Sequence, residues 1–124
     1  MQAAIALCHA RAFRPEETDW DEVVRLYDAL AAAMPSPIVE LNRAVAISMA
    51  SGPATGLALV DQLVGLGVLE RYHLLHAVRG DLLDKLGRHA EAVDAFGRGA
   101  SLARNVPERQ LLQQRARQSA EKAR

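Results

Sequence analysis

Residues 81–104 read DLLDKLGRHAEAVDAFGRGASLAR. The stretch forms two short helical segments on either side of Gly87, each with an apolar stripe and neither long enough to bury it alone. Small residues stand where the two segments would touch, Gly80 just before the stretch and Ala92 within it, and Phe96 supplies one bulky filler. A pair built this way has to stack on other helices, so the rest of the chain is expected to supply earlier copies of the same unit.

The flanking sequence carries matching punctuation. A helix is expected over 2–13, ending before Arg14 and Pro15. Thr18 with Asp21 fits a capping box that opens WDEVVRLYDALAAAM, where Val23, Leu26, Tyr27 and Leu30 share one stripe. Pro35-Ser36-Pro37 breaks the chain, and Pro37 suits the first position of IVELNRAVAISMA. Gly52 ends that helix, Pro53 opens ATGLALVDQLVGL, and Gly65 and Gly67 stop it. Further helices are expected over 70–86 and 90–104. Asn105 and Glu108, bracketing Pro107, open a last one that runs to the C-terminus. No stretch alternates as a strand would. The reading is all-α, with seven helices joined by short loops into antiparallel neighbours.

Gly52 and Gly87 lie 35 residues apart, and Pro35 and Arg104, each ending a second helix, lie 69 apart. At this spacing the chain resembles the tetratricopeptide repeat, a helix pair with small residues at its contact and a glycine at its turn. Gly80, Gly87, Ala92 and Phe96 match the family's small, turn, small and aromatic positions, with Gly99 in place of the usual alanine. The middle unit keeps Gly52 but has Leu57 and Asp61 at the small and aromatic positions. The first keeps Tyr27 and Pro35. The resemblance implies a helical-repeat solenoid of about three helix pairs, over 2–35, 36–69 and 70–104, closed by a capping helix over 106–124, all one domain. Gly97 and Gly99 are costly inside a helix. Either they admit a close neighbour or they soften the helix.

Composition narrows the function classes. Fifteen Lys plus Arg balance fifteen Asp plus Glu, at a sequence pI of about 6.9, so no basic field covers the whole chain. Residues 104–124 carry six basic and two acidic side chains, net +4, which leaves the first 103 residues at nine against thirteen, net −4. A single cysteine, Cys8, excludes an internal disulfide and suits a reducing, cytoplasmic setting. No apolar run approaches the roughly 20 residues of a membrane-spanning helix.

The order of segments is more specific. QAAIALCHARA (2–12), TDWDEVVRLYDAL (18–30), PSPIVELNRAVA (35–46), GPATGLALVDQL (52–63), YHLLHAVRGDLLDKLGRHAEA (72–92) and LARNVPERQLL (102–112) resemble the C-terminal extension of a group of bacterial extracytoplasmic-function sigma factors. The resemblance covers nearly the whole chain and implies a regulatory module, with Met1 close to a cut in a longer sigma factor. Its implied partners are the sigma factor's own preceding regions or RNA polymerase. Neither DNA-reading region of such factors is present, so direct nucleic-acid binding is not expected. An excess of Arg over Lys, thirteen to two, and abundant Ala suit a GC-rich bacterial genome.

Chemistry-bearing constellations are sparse. His73 and His76 are three apart on one helix without a third ligand at matching spacing, so packing of one and hydration of the other is the favoured reading over metal binding. Asp19, Asp21 and Glu22 fit a helix start better than a catalytic pair. No phosphate loop, nucleophile elbow or Cys–His pair occurs, and neither enzymatic activity nor a cofactor or metal is expected. The groove implied by the repeat family would be lined by Ile5, Cys8, Val39, Asn42, Ala46, Leu74, Ala77, Asp81 and Asp84, with Arg43 and Arg79 at its margin. An apolar guest suits it better than an acidic tail. Either an outside partner or the protein's own helices could fill it. The alternative function is small-ligand sensing in a pocket near Asn42, Tyr72 and His76. The basic residues Arg104, Arg109, Arg115, Arg117, Lys122 and Arg124 scatter around the last helix, and a solvated terminal helix is the favoured reading over a phosphate-binding face.

Overall fold

The computed structural model describes residues 18–124. Among the described residues there are six α-helices and no strand: α1 (Trp20–Ala33), α2 (Pro37–Ser51), α3 (Pro53–Leu66), α4 (His73–Lys85), α5 (His89–Leu102) and α6 (Val106–Lys122). The helix expected over 2–13, with Ile5 and Cys8, lies outside the described residues. No described helix is long and apolar enough to cross a membrane.

Local chemistry sets most boundaries. Ser36 accepts the Ile38 N–H at 3.3 Å ahead of Pro37, and Asn105 accepts the Glu108 N–H at 2.8 Å ahead of Pro107. Gly52, at φ +104°, closes α2 and opens α3 by itself. A one-residue joint leaves two helices that pack along their length no option but to run antiparallel. Gly87, at φ +78°, ends α4 with paired bonds, Arg88 N–H to the Leu83 carbonyl at 2.9 Å and Gly87 N–H to that of Asp84 at 3.0 Å. That is the Schellman pattern, which needs a residue free to adopt positive φ.

Three boundaries differ from expectation. The cap of α1 is Asp19, whose carboxylate accepts the Glu22 N–H at 3.1 Å, while the Thr18 hydroxyl is buried without a hydrogen-bond partner. Both residues begin a capping-box pattern, and the carboxylate wins because it is the stronger acceptor and complements the helix dipole. Gly65 lies inside α3, which ends at Gly67. Turns over 67–71 delay α4 to His73.

Each helix packs chiefly on the next in sequence, and α2 also meets α4. The larger core joins α2 to α6 through Leu41, Val60, Leu75, Leu83, Phe96 and Leu112 among others. A smaller one clamps Val23, Tyr27 and Leu30 of α1 onto Val39 and Ala46 of α2. Phe96, 1% exposed, lies so close to Gly80 that a Cβ there would stand 2.8 Å from its ring. The α2/α3 contact is equally tight, and its small position is filled by Gly56, one residue before the Leu57 assigned to it: a Cβ on Gly56 would collide with Ser48 and crowd the Ala44 carbonyl. The packed positions therefore recur at 36 residues, Ala44 with Gly80, Gly56 with Ala92 and Val60 with Phe96.

Candidate functional site

The open feature that this packing creates is a cleft of about 200 Å³ between α2 and α4. Val45, Ser48 and Met49 form one wall, spaced three and four apart on one face of α2. Ala77, Val78 and Leu82 of α4 form the other, with Asp81 and Lys85 paired at 3.1 Å on the rim. The lining is mostly apolar, and the Ser48 hydroxyl is turned back onto the Val45 carbonyl at 2.6 Å. Such a surface suits an aliphatic side chain with a polar neighbour at the rim.

Among the described residues no hydrogen bond or ion pair ties α2 to α4 across this cleft. The next joint along, between α4 and α6, is crossed by three polar rungs, two of them hydrogen bonds. Arg115 donates to Asp81 at 3.0 Å and Ser119 donates to Asp84 at 2.7 Å, while the buried His73 Nε2 lies 3.2 Å from the Glu108 carboxylate without making a hydrogen bond. The partners of each rung are 34 or 35 residues apart, so α6 runs parallel to α4. The Arg115 guanidinium also lies 4.7 Å from the Phe96 ring centroid, closing the end of the larger core.

Most of the residues proposed for the groove are spent on joints between helices. Arg43 pairs with Asp28 at 2.5 Å, fastening α2 to α1, and Arg79 pairs with Asp61 at 2.9 Å, fastening α4 to α3. Asp84 accepts from His89 Nδ1 at 2.8 Å as well as from Ser119. Burial works to raise the Asp84 pKa, but hydrogen bonds from His89 and Ser119, with the charge of Lys122, outweigh it and hold the carboxyl below its ordinary value. These three side chains are not a hydrolytic triad. The hydroxyl donates to the carboxylate rather than to the imidazole, and Ser119 is wholly buried.

Tyr72 caps α4, its ring edge-on to His73 at 5.7 Å. His76 Nε2 lies 2.8 Å from the Glu70 carbonyl, and since a carbonyl only accepts, that nitrogen carries the proton. His73 is buried in the α4/α6 seam, whereas the expected free, hydrated histidine instead pins the turn before its own helix. Among the described residues no cluster could hold a metal ion. Asn42, Tyr72 and His76, grouped above as a ligand pocket, do not border the cleft. Val39 and Ala46 are corrected from groove to core, because α1 covers them. Leu74 is exposed, and Ala77 and Asp81 alone of the proposed set reach the cleft. The α2 wall was missed: Val45, Ser48 and Met49 share a helical spacing, but α2 is apolar on its other faces as well.

Comparison with curated proteins finds an uncharacterized protein of Rhizobium meliloti (strain 1021) that is 52% identical over 108 residues, 87% of this chain and 25% of that protein. The chain thus spans about a quarter of the length of the curated relative it matches. No family model and no solved structure matches it.

Proposed function

We propose that the chain is a tetratricopeptide-like solenoid that serves as the C-terminal regulatory extension of an extracytoplasmic-function sigma factor, working by protein contact. Support for the repeat comes from helices that pack in sequence and from buried positions that recur 36 residues apart. The parallel rungs between α4 and α6 add to it, since stacking of successive units aligns their first helices. Support for the sigma-factor role comes from the resemblance of the ordered segments. A match to a quarter of a much longer relative suits a module within a larger chain.

The observation that carries a binding role is the unbridged, apolar α2/α4 cleft beside a bridged α4/α6 joint. One joint carries polar cross-links, and the other presents an apolar surface to a guest segment. The preceding regions of the sigma factor, or a surface of RNA polymerase, would supply that segment.

The test uses the full-length protein that carries this domain. Met49→Glu puts a charge in the cleft wall and should change transcription from the target promoter as much as deletion of 18–124 does. The isolated domain should not shift promoter DNA. Unchanged transcript levels in both variants, or a DNA shift by the domain alone, would overturn the reading.

A further inference from the structure

A second cleft, of about 620 Å³, runs between α5 and α6. Its floor is made of small residues, Gly97 and Ala100 from α5 and Ala116 from α6, and Gln113 lines it with Arg109 and Arg117. No acidic side chain borders it. The two arginines are eight residues apart on the same side of α6, about 12 Å at 1.5 Å per residue.

Two features of this cleft have no explanation inside the fold. Arg25, Arg43, Arg79, Arg88 and Arg115 all pair with carboxylates. Among the described residues Arg109 and Arg117 have no such partner, as is also true of Arg71, Arg98, Arg104 and Arg124, and these two line the same cleft. The second feature is Gly97. Of the two glycines within α5, Gly99 is required, because a Cβ there would lie 3.2 Å from the His73 carbonyl oxygen and 3.3 Å from Leu112. A Cβ on Gly97 would meet nothing within 4 Å. A mid-helix glycine weakens its helix relative to alanine, so its packing offers no return, whereas its missing side chain leaves the cleft floor open.

We propose that the α5/α6 cleft binds an acidic peptide segment. The segment lays a small apolar side chain on the Gly97 and Ala116 floor and offers a carboxylate to each of Arg109 and Arg117. Guanidinium forks match carboxylates in bidentate pairs, and the 12 Å span calls for acids about two helical turns apart, or three to four residues apart in an extended chain. A protein segment fits better than a nucleic acid. The cations that line the cleft are Arg109 and Arg117 alone, set across a floor of small residues, whereas a nucleic-acid backbone calls for a continuous run of them. The inference does not rest on the sigma-factor reading, and it concerns a different cleft from the α2/α4 one.

The test is selection of this protein against a displayed library of random 16-residue peptides, followed by anisotropy titration of the enriched peptides and of a 20-base-pair DNA duplex. The enriched peptides should carry paired acids at the stated spacing, and changing both acids to Gln should remove binding. Arg109→Glu and Arg117→Glu should each weaken binding about tenfold or more. Gly97→Leu, which changes no charge and sits where the helix tolerates a side chain, should do the same by filling the floor. Arg124→Glu should leave affinity unchanged. The proposal is overturned by no enrichment, by enriched peptides without paired acids, by full binding in Gly97→Leu, by equal loss in Arg124→Glu, or by DNA binding tighter than peptide.

Discussion

Asp84 illustrates how a single side chain organises a joint. It takes hydrogen bonds from α5 through His89 and from α6 through Ser119, so its ionised form is worth more folded than unfolded, as its lowered pKa states. The contribution is therefore present in full above the ordinary carboxylate value of about 4 and is lost as pH falls through the lower folded value. Asp84→Asn should cost about 1–3 kcal/mol at pH 7 in urea unfolding, and the gap to the parent protein should close as the pH is lowered toward 3. A gap that stays constant with pH would show that the charge is not what matters. The two glycines of α5 separate just as cleanly. Gly97→Ala should raise stability by up to about 1 kcal/mol, since its Cβ is unopposed. Gly99→Ala should lower it by about 1 kcal/mol, because the carbonyl it would press on is fixed backbone. Thermal unfolding of the two variants should move in opposite directions.

Between elements, the same helix contact is solved twice with different side chains. The α4/α5 pair sets Gly80 against Phe96, whereas the α2/α3 pair has Ala44 and Val60 at the positions 36 residues earlier. One residue gains a methyl group where the other loses a ring. Gly80→Ala alone should cost about 1–3 kcal/mol by overpacking, and Phe96→Val alone about 2 kcal/mol or more by leaving a cavity. The double variant, which transplants the earlier solution, should recover at least about 1 kcal/mol relative to the sum of the two. A sum that holds would mean the two contacts are not equivalent. Gly80 and Phe96 were legible in the sequence because both residues stand out, as were the helix boundaries at Pro37, Gly52 and Asn105, whose chemistry acts within a few residues. Gly56 was not, since Gly52 and Gly87 suggest a 35-residue offset while the packed faces follow 36. Nor could the sequence show which face of α2 is open. Val39 and Ala46 face α1, Leu41 and Ala44 face the larger core, and Val45 and Met49 face the cleft, so the helix is apolar nearly all round and its periodicity selects no side. The pairing of Asp81 with Arg115, which closes the α4/α6 joint, spans 34 residues and leaves no local trace.

On the scale of the whole molecule, stability runs along the chain from neighbour to neighbour. Because α1 packs chiefly on α2, it is held by the smaller cluster and by the Arg43 pair with Asp28, apart from the core that binds α2 through α6. Among the described residues α1 is held through one face, and a helix held so can open without disturbing the others. Amides of α1 should therefore exchange with solvent through a lower-energy opening than those of α4 and α5, where Leu75, Leu83 and Phe96 lie at the centre of the larger core. Val39→Ala removes buried methyl groups from the α1 side of α2 alone, at about 1–2 kcal/mol. In hydrogen exchange read by mass spectrometry, it should speed α1 while protection in α5 stays at the parent level, because breaking the α1 contact leaves the larger core intact. Equal acceleration in both helices would mean that the two clusters unfold as one. In that case the α2/α4 cleft, which lies between the faces they cover, would be as rigid as the core itself, with no freedom to widen around a guest.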